Sequence, residues 1–227
     1  YLKNNKHEAL NAFTKAIELT HDYAEAYAIR GLLYKEMSKY QQAMKDYNKA
    51  IELKPDMAAY NGRGFVYEKL GNYHQAVNDY TKALELAHKN IDIAGEHCAR
   101  GDAYFELGNY QQAIKDYTNA IELSPGVPYA YNARGKAYLK LERYQYAIKD
   151  FSKVIELQRD IEILGPDISL PLLPLVFSAP KDAVYHSRGV AYAKLGNYQQ
   201  ATADFKIAAR LGNKNAQDAL LKMGEQW

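Results

Sequence analysis

Two short phrases recur along the chain at a nearly constant interval. In the first, an Arg-Gly pair is followed by tyrosine three residues after the glycine, and the copies begin at Arg30, Arg63, Arg100, Arg134 and Arg188. Their glycines are 33 to 37 residues apart over the first four copies, and 54 residues separate the last two. The second phrase, Tyr-x-x-Ala, keeps the same intervals and begins at Tyr40, Tyr73, Tyr110, Tyr144 and Tyr198. A fixed period of this length predicts a stack of repeated units, each packing on its neighbours.

Each repeat contains two stretches with helical periodicity. In the repeat that contains Arg100, residues 94–107 form one stretch and residues 110–123 the other. Gly108-Asn109 lies between the two stretches, and Ser124-Pro125 follows the second. Glycine and proline at these places are ordinary helix stop signals. Apolar residues spaced by three and four positions, such as Ala113, Tyr117 and Ala120, predict one buried helical face. Small residues let the two helices approach, and tyrosines fill the space beside them, which accounts for most of the 21 tyrosines as packing.

The pattern resembles the tetratricopeptide repeat family, in which aromatic, Gly, Tyr, Ala and Pro positions recur at fixed intervals. The repeat that contains Arg30 supplies these positions as Tyr27, Gly31, Tyr34, Ala43, Tyr47, Ala50 and Pro55. The resemblance covers most of the chain. It implies an all-α fold, a right-handed superhelical array of antiparallel helix pairs, with the first helix of each pair lining a concave groove.

On this interpretation residues 1–227 form a single array. Residues 1–20 are a truncated first repeat that keeps only its second helix, and residues 214–227 are a C-terminal capping helix of the kind that solvates the end of an array. Full repeats occupy residues 24–56, 57–90, 94–125, 128–160 and 182–213. The remaining segment, residues 161–180, is an apolar, proline-rich insertion.

Four prolines beyond Gly165 exclude a continuous helix through the insertion. The segment is nevertheless rich in large apolar side chains, which need a surface to cover them. The residues expected to make that contact are Leu170, Leu172, Leu173, Leu175, Val176 and Phe177. Three interpretations stay open. The segment seals a widened joint between repeats, fills a groove of its own chain or of a second molecule, or contacts a membrane.

Each repeat with an arginine before its glycine also has an aspartate in its second helix. The pairs are Arg30 with Asp46, Arg63 with Asp79, Arg100 with Asp116, Arg134 with Asp150, and Arg188 with Asp204. The truncated first repeat has Ala12 at the aspartate position, so it cannot serve Arg30. We therefore hypothesise that each pair forms inside its own hairpin, where it sets helix register more than it adds stability. The alternative is a ladder of arginines facing the groove and binding a ligand.

The resemblance also assigns a peptide-binding groove to the first helices. The candidate residues are Asn61, Phe65, Asp102, Phe105, Tyr129, Asn132, Lys136, Lys140, His186 and Lys194. The members in the C-terminal half are largely basic or amide-bearing. Such a surface suits an acidic or carboxylate-bearing peptide.

The expected function is therefore that of a non-catalytic scaffold or adaptor that binds a protein or peptide. The alternatives are a self-assembling scaffold that forms homo-oligomers through residues 161–180 or the groove, and a co-chaperone. No phosphate-binding loop, His-Glu-x-x-His or Gly-x-Ser-x-Gly motif occurs. We expect no enzyme activity, cofactor or metal.

Charge and composition narrow the partners further. A net charge of +2 gives no reason to expect nucleic acid, and no apolar run is long enough for an integral membrane segment. The single cysteine, Cys98, suits a reducing compartment and favours the cytoplasm. The periplasm or an organelle stays open, because the chain begins like the middle of a longer sequence.

Overall fold

The structure, a computed structural model, describes residues 2–87, 93–164 and 179–227. Over these residues it contains twelve α-helices and no β-strand, which confirms the all-α prediction for this part of the chain. The helices are α1 (Leu2–Leu19), α2 (Ala24–Glu36), α3 (Tyr40–Leu53), α4 (Met57–Lys69), α5 (Tyr73–Leu86), α6 (Ala94–Glu106), α7 (Tyr110–Leu123), α8 (Pro128–Lys140), α9 (Tyr144–Leu164), α10 (Lys181–Lys194), α11 (Tyr198–Arg210) and α12 (Lys214–Lys222).

The chain divides into two compact units, Tyr1–Gly108 and Asn109–Trp227. In the first unit α2 packs with α3 and α4 with α5 as antiparallel hairpins, while α1 flanks α2 and α6 flanks α5. The first helices α2, α4 and α6 are also neighbours of one another. The predicted repeats 24–56 and 57–90 each contain one of these hairpins. That one array runs through all 227 residues stays a prediction.

The second unit has the same plan, with hairpins α8–α9 and α10–α11 between α7 and α12. Helix α9 continues to Leu164, so the first residues of the predicted insertion are helical. Residues 165–178, which include all six expected contact residues, lie outside the described part. Helix α12 packs Ala216 and Leu220 into the core of the α10–α11 hairpin.

Tight turns join the helices of each hairpin. Each turn contains one residue with a positive φ. In the α4–α5 and α10–α11 hairpins this residue is a glycine, Gly71 and Gly196 respectively. Ser38 and Glu142 take this conformation in the other two hairpins, with φ of 57° and 58°. The start of the next hairpin is fixed by local signals, such as the Asp56 carboxylate, which accepts a hydrogen bond of 2.8 Å from the Ala59 N–H at the start of α4.

An aromatic side chain from each second helix forms the core of its hairpin. Tyr47, at 2% exposure, lies against Gly31 of its own hairpin and against Gly62 of the next. Phe151 packs on Gly135 and Phe205 on Gly189 in the same way. A Cβ atom added at Gly62 would lie 2.3 Å from Cζ and 2.5 Å from the hydroxyl oxygen of Tyr47. The glycine is therefore required by close packing between neighbouring hairpins.

We predict that Gly62→Ala lowers the free energy of unfolding by about 1–3 kcal/mol, because the new methyl group overpacks the Tyr47 ring. Gly95→Ala is the matched control, since Gly95 is also helical and a Cβ there meets nothing within 4 Å. The control should gain about 0.5–1 kcal/mol from helix propensity. Urea unfolding of both variants measures the difference, and equal stabilities would refute the proposed close packing.

Candidate functional site

The repeated arginines bind the repeated aspartates of their own hairpins. Nε and Nη2 of Arg30 donate to Oδ2 and Oδ1 of Asp46 at 2.7 and 2.8 Å. The same two-pronged contact joins Arg63 to Asp79, Arg134 to Asp150, and Arg188 to Asp204. In these four hairpins the arginines are committed to structure, so the alternative of a free arginine ladder does not hold there. The Arg100–Asp116 pair joins residues of different units and stays a prediction.

Tyrosines lie over the faces of the same guanidinium groups. The Cζ atom of Arg63 is 5.5 Å from the ring centroid of Tyr60 and 5.9 Å from that of Tyr67. Arg134 and Arg188 have equivalent tyrosines three residues before and four residues after them, and Arg30 lies over Tyr27. Residues at these spacings share one helix face, and cation–π attraction holds them together. Sequence reasoning treated the tyrosines as packing alone, although the Tyr-x-x-Arg-Gly-x-x-Tyr spacing was visible.

A further N–H of each arginine reaches the preceding second helix. Nη1 donates to a side-chain oxygen of that helix at 2.8–3.3 Å, and the accepting residues are Thr14, Asn48, Thr81, Thr118 and Ser152. The three threonine hydroxyls also donate to a carbonyl of their own helix at 2.8 Å, which leaves their lone pairs free to accept. Sequence reasoning missed this acceptor, which lies five residues after the alanine of the second phrase.

The last hairpin differs at the acceptor position. Lys206 replaces the hydroxyl or amide residue, and its Nζ lies 2.8 Å from Oε2 of Glu225. No arginine-bearing helix follows α11, because α12 packs there instead. The acceptor is thus present where a following arginine uses it and is replaced at the final hairpin.

The groove residues predicted in the first unit are engaged in contacts within the chain. Asn61 donates to Glu96 of α6 at 3.0 Å. The Phe65 ring has the Lys35 and Lys69 ammonium groups at 5.0 and 4.8 Å from its centroid. Asp102 and Phe105 are half-buried, and both have interactions of their own.

The predicted residues of the second unit divide into two groups. Asn132 has 6% exposure, and the half-buried His186 ring lies 5.8 Å from that of Phe205, so neither is offered to solvent as expected. Tyr129 is half-buried and has interactions of its own. The exposed members are Lys136 and Lys140 on α8 and Lys194 on α10. These three lysines, termed the lysine face below, have no acidic partner among the described residues.

Acidic residues are distributed unevenly over the first helices. Each of the first helices in the first unit carries at least one, and these are Glu25, Glu36, Glu68, Glu96, Asp102 and Glu106. Helix α8 has none. On α10 the one carboxylate, Asp182, accepts a hydrogen bond of 3.0 Å from Nδ2 of Asn213. The lysine face therefore lies on two first helices that offer it no ion-pair partner among the described residues.

These features define a helical-repeat protein. Tetratricopeptide repeat models match residues 24–57, 58–90, 128–161 and 183–215, and a TPR repeat model matches residues 101–142. Together they cover more than half of the chain, which belongs to the tetratricopeptide repeat family. Proteins built on this fold serve as protein-interaction scaffolds.

Several solved structures share the fold. YrrB, described as a TPR protein with an unusual peptide-binding site, has a TM-score of 0.73 and 24% identity, with 92% of this chain and 97% of that chain covered. A MamA structure has a TM-score of 0.68 and 22% identity, covering 86% of this chain and 94% of its own. A tetratricopeptide repeat protein from Parabacteroides merdae has a TM-score of 0.55 and 24% identity, covering 97% and 78%.

One curated relative matches over a short stretch. The UDP-N-acetylglucosamine–peptide N-acetylglucosaminyltransferase of Giardia intestinalis is 41% identical over 49 residues, which is 22% of this chain. The match spans 3% of that protein's length. Across residues 2–87, 93–164 and 179–227, no group of three His, Cys, Asp or Glu side chains is arranged to hold a metal ion. Within the same ranges, no helix has the length and apolar character needed to cross a membrane.

We predict that Thr118→Val weakens the joint between α7 and α8, because the Nη1 N–H of Arg134 loses its acceptor at 3.0 Å. The expected loss is about 1–3 kcal/mol in the free energy of unfolding. Thr118→Ser is the control, since serine already fills this position at Ser152. If urea unfolding gave the same stability for the valine and serine variants, the hydrogen bond would have no role in the joint.

We also predict that His186 makes stability depend on pH. Burial lowers the pKa of His186 from the ordinary 6.5, against the opposing charge of Asp182. The unfolded chain therefore takes up this proton at higher pH than the folded chain, and stability falls as the pH drops below about 6.5. Asparagine occupies the equivalent position in two other repeats, as Asn61 and Asn132. His186→Asn should therefore reduce the loss of unfolding free energy between about pH 7.5 and about pH 5.5, measured by urea unfolding. Exposed His74→Asn is the control, and an unchanged pH slope in His186→Asn would contradict the prediction.

Proposed function

We propose that this scaffold binds an acidic segment of a partner protein on the lysine face. Lys136 and Lys140 lie one helical turn apart on α8, and Lys194 lies on the neighbouring first helix α10. Like charges at this spacing destabilise a helix slightly. Their placement without a neutralising carboxylate supports a role in binding, because an acidic ligand supplies the missing charge.

Some lysines of the second helices are paired within their own helix. Lys49, Lys82 and Lys153, all on second helices, form ion pairs of 2.7–2.8 Å with glutamates three residues later. On the lysine face no such pairing occurs among the described residues. The single observation that carries the proposal is this unneutralised group of lysines on adjacent first helices.

Two other functions receive less support. A co-chaperone clamp would need Asn61 and Asn132 as ligand contacts, but Asn61 is bonded to Glu96 and Asn132 is buried. Catalysis receives less support, because among the described residues the repeated charged groups are tied to one another in four hairpins. The function proposed for the scaffold is therefore binding.

We predict that Lys136→Glu/Lys140→Glu weakens binding of a fluorescent decapeptide of alternating Glu and Leu by about tenfold or more, since two attractive contacts become repulsive. Fluorescence anisotropy measures the affinity, which should lie near micromolar for the unaltered protein and fall with added salt. Lys115→Glu/Lys149→Glu is the control, with the same charge change at exposed lysines of the second helices α7 and α9. Equal binding by the two double variants would refute the proposal.

Sedimentation of the same proteins tests the self-assembly alternative. If the unaltered chain forms concentration-dependent dimers that Lys136→Glu/Lys140→Glu abolishes, and the peptide does not bind, the occupant of the lysine face is a second copy. A monomer that binds the peptide supports the adaptor.

A further inference from the structure

The α8–α9 and α10–α11 hairpins are separated in sequence by the insertion, yet they pack against each other. The second helices α3, α5 and α7 end at Leu53, Leu86 and Leu123, whereas α9 continues past Leu157 to Leu164. The described chain resumes at Ala179, and α10 begins two residues later. Despite the intervening residues, α10 packs directly against α9.

The contacts at this joint match those of the uninterrupted joints. Nη1 of Arg188 donates to Ser152 Oγ at 3.0 Å, as Arg134 does to Thr118. Val154, Ala179 and Val184 are buried together in one cluster. The joint after α9 therefore keeps the arginine contact of the uninterrupted joints. The interpretations of the insertion itself stay predictions.

A buried amide makes the one contact that the other joints lack. Nε2 of Gln158 donates to the carbonyl oxygen of Ala179 at 2.6 Å, and the glutamine side chain has 7% exposure. The equivalent positions in three other hairpins are Lys54, Ala87 and Ser124, the residues at which those second helices stop. Gln158 thus bonds the extended helix to a residue that lies two positions before α10.

The Gln158 amide leaves one buried acceptor unsatisfied within the described part of the chain, which costs free energy. Oε1 of Gln158 is buried and has no hydrogen-bond partner among the described residues. An apolar side chain of the same length would fill this space without leaving an acceptor unsatisfied. Packing alone therefore does not explain a glutamine here, whereas a directed hydrogen bond to Ala179 does.

We infer that Gln158 is a latch that holds α10 on α9 in place of the short loop used elsewhere. By holding α10, the latch sets the spacing between the lysines of α8 and Lys194 on α10. Gln158 is a positioning residue, because it acts on the lysine face through the helix it holds. This second step rests on the proposed function, whereas the latch itself rests on the joint alone.

Hydrogen exchange of the full chain tests the latch. Gln158→Met removes the hydrogen bond and the unsatisfied oxygen together while keeping the length of the side chain. A latch predicts that amides of α10 and α11 exchange about 5- to 10-fold faster, with α8 unchanged as the internal reference. If the glutamine only fills space, the apolar variant exchanges at the same rate or more slowly, and the latch is refuted.

Gln158→Glu provides a second readout that a space-filling role would not produce. An ionised carboxylate cannot donate to the Ala179 carbonyl, so α10 and α11 should exchange faster at neutral pH. At low pH the protonated carboxyl can donate, and the protection relative to the unaltered chain should return. Gln200→Glu, at an exposed glutamine of α11, is the control. Fast exchange that persists at low pH would contradict the latch.

Peptide binding by the same variants separates the two proposals. Weaker binding of the Glu-Leu peptide by Gln158→Met, together with faster exchange in α10, supports both. Unchanged exchange with normal binding refutes the latch and leaves the lysine face intact. Faster exchange in Gln158→Met, when the unaltered chain itself binds no peptide, refutes the proposed function and leaves the latch standing.

Discussion

The hairpins and their joints depend on the contacts of one half-buried group, the guanidinium of the repeated arginine. Two of its N–H groups bind the aspartate of its own hairpin, and a third reaches the preceding second helix. Tyrosines cover its faces. A charged group partly removed from water costs free energy unless its donors are satisfied, and here two other helices supply the acceptors. Register within a hairpin and docking between hairpins are thereby fixed by the same side chain.

This use of charge explains why the surface available to a partner is small. The arginines and aspartates of the repeat bind each other, and most tyrosines of the first helices stack on them. Two candidate residues of the first unit are also engaged within the chain, Asn61 with Glu96 and Phe65 with Lys69. What remains free on the first helices of the second unit is the lysine face. Specificity for a partner then comes from positions at which the repeats differ from one another.

Much of the architecture followed from periodicity. The recurring Arg-Gly and Tyr-x-x-Ala phrases predicted paired helices because glycine and alanine permit close helix contact, as Tyr47 against Gly31 shows. The candidate site was harder to predict, since Asn132 and Lys136 lie on the same helix and only their burial distinguishes them. The acceptors were missed because threonine, asparagine and serine share the position, so no single residue type repeats there. The extension of α9 to Leu164 agrees with a sequence in which the first proline of the insertion comes only after Gly165. The bond from Gln158 to Ala179 could not be predicted, because it depends on a contact across an insertion.

The acceptor on each second helix also bears on how such a chain changes over time. Since Thr14, Asn48, Thr81, Thr118 and Ser152 all perform the same task for the arginine that follows, the interfaces are interchangeable. If an in-frame gene duplication added one internal hairpin, or a deletion removed one, each arginine would still meet an acceptor on the second helix before it. No guanidinium group would be left without its hydrogen-bond partner. Lys206 breaks this equivalence, because a hairpin spliced in after α11 would bring a guanidinium to an ammonium group. Growth by recombination is thus open at the joints that carry an acceptor and disfavoured between α11 and α12.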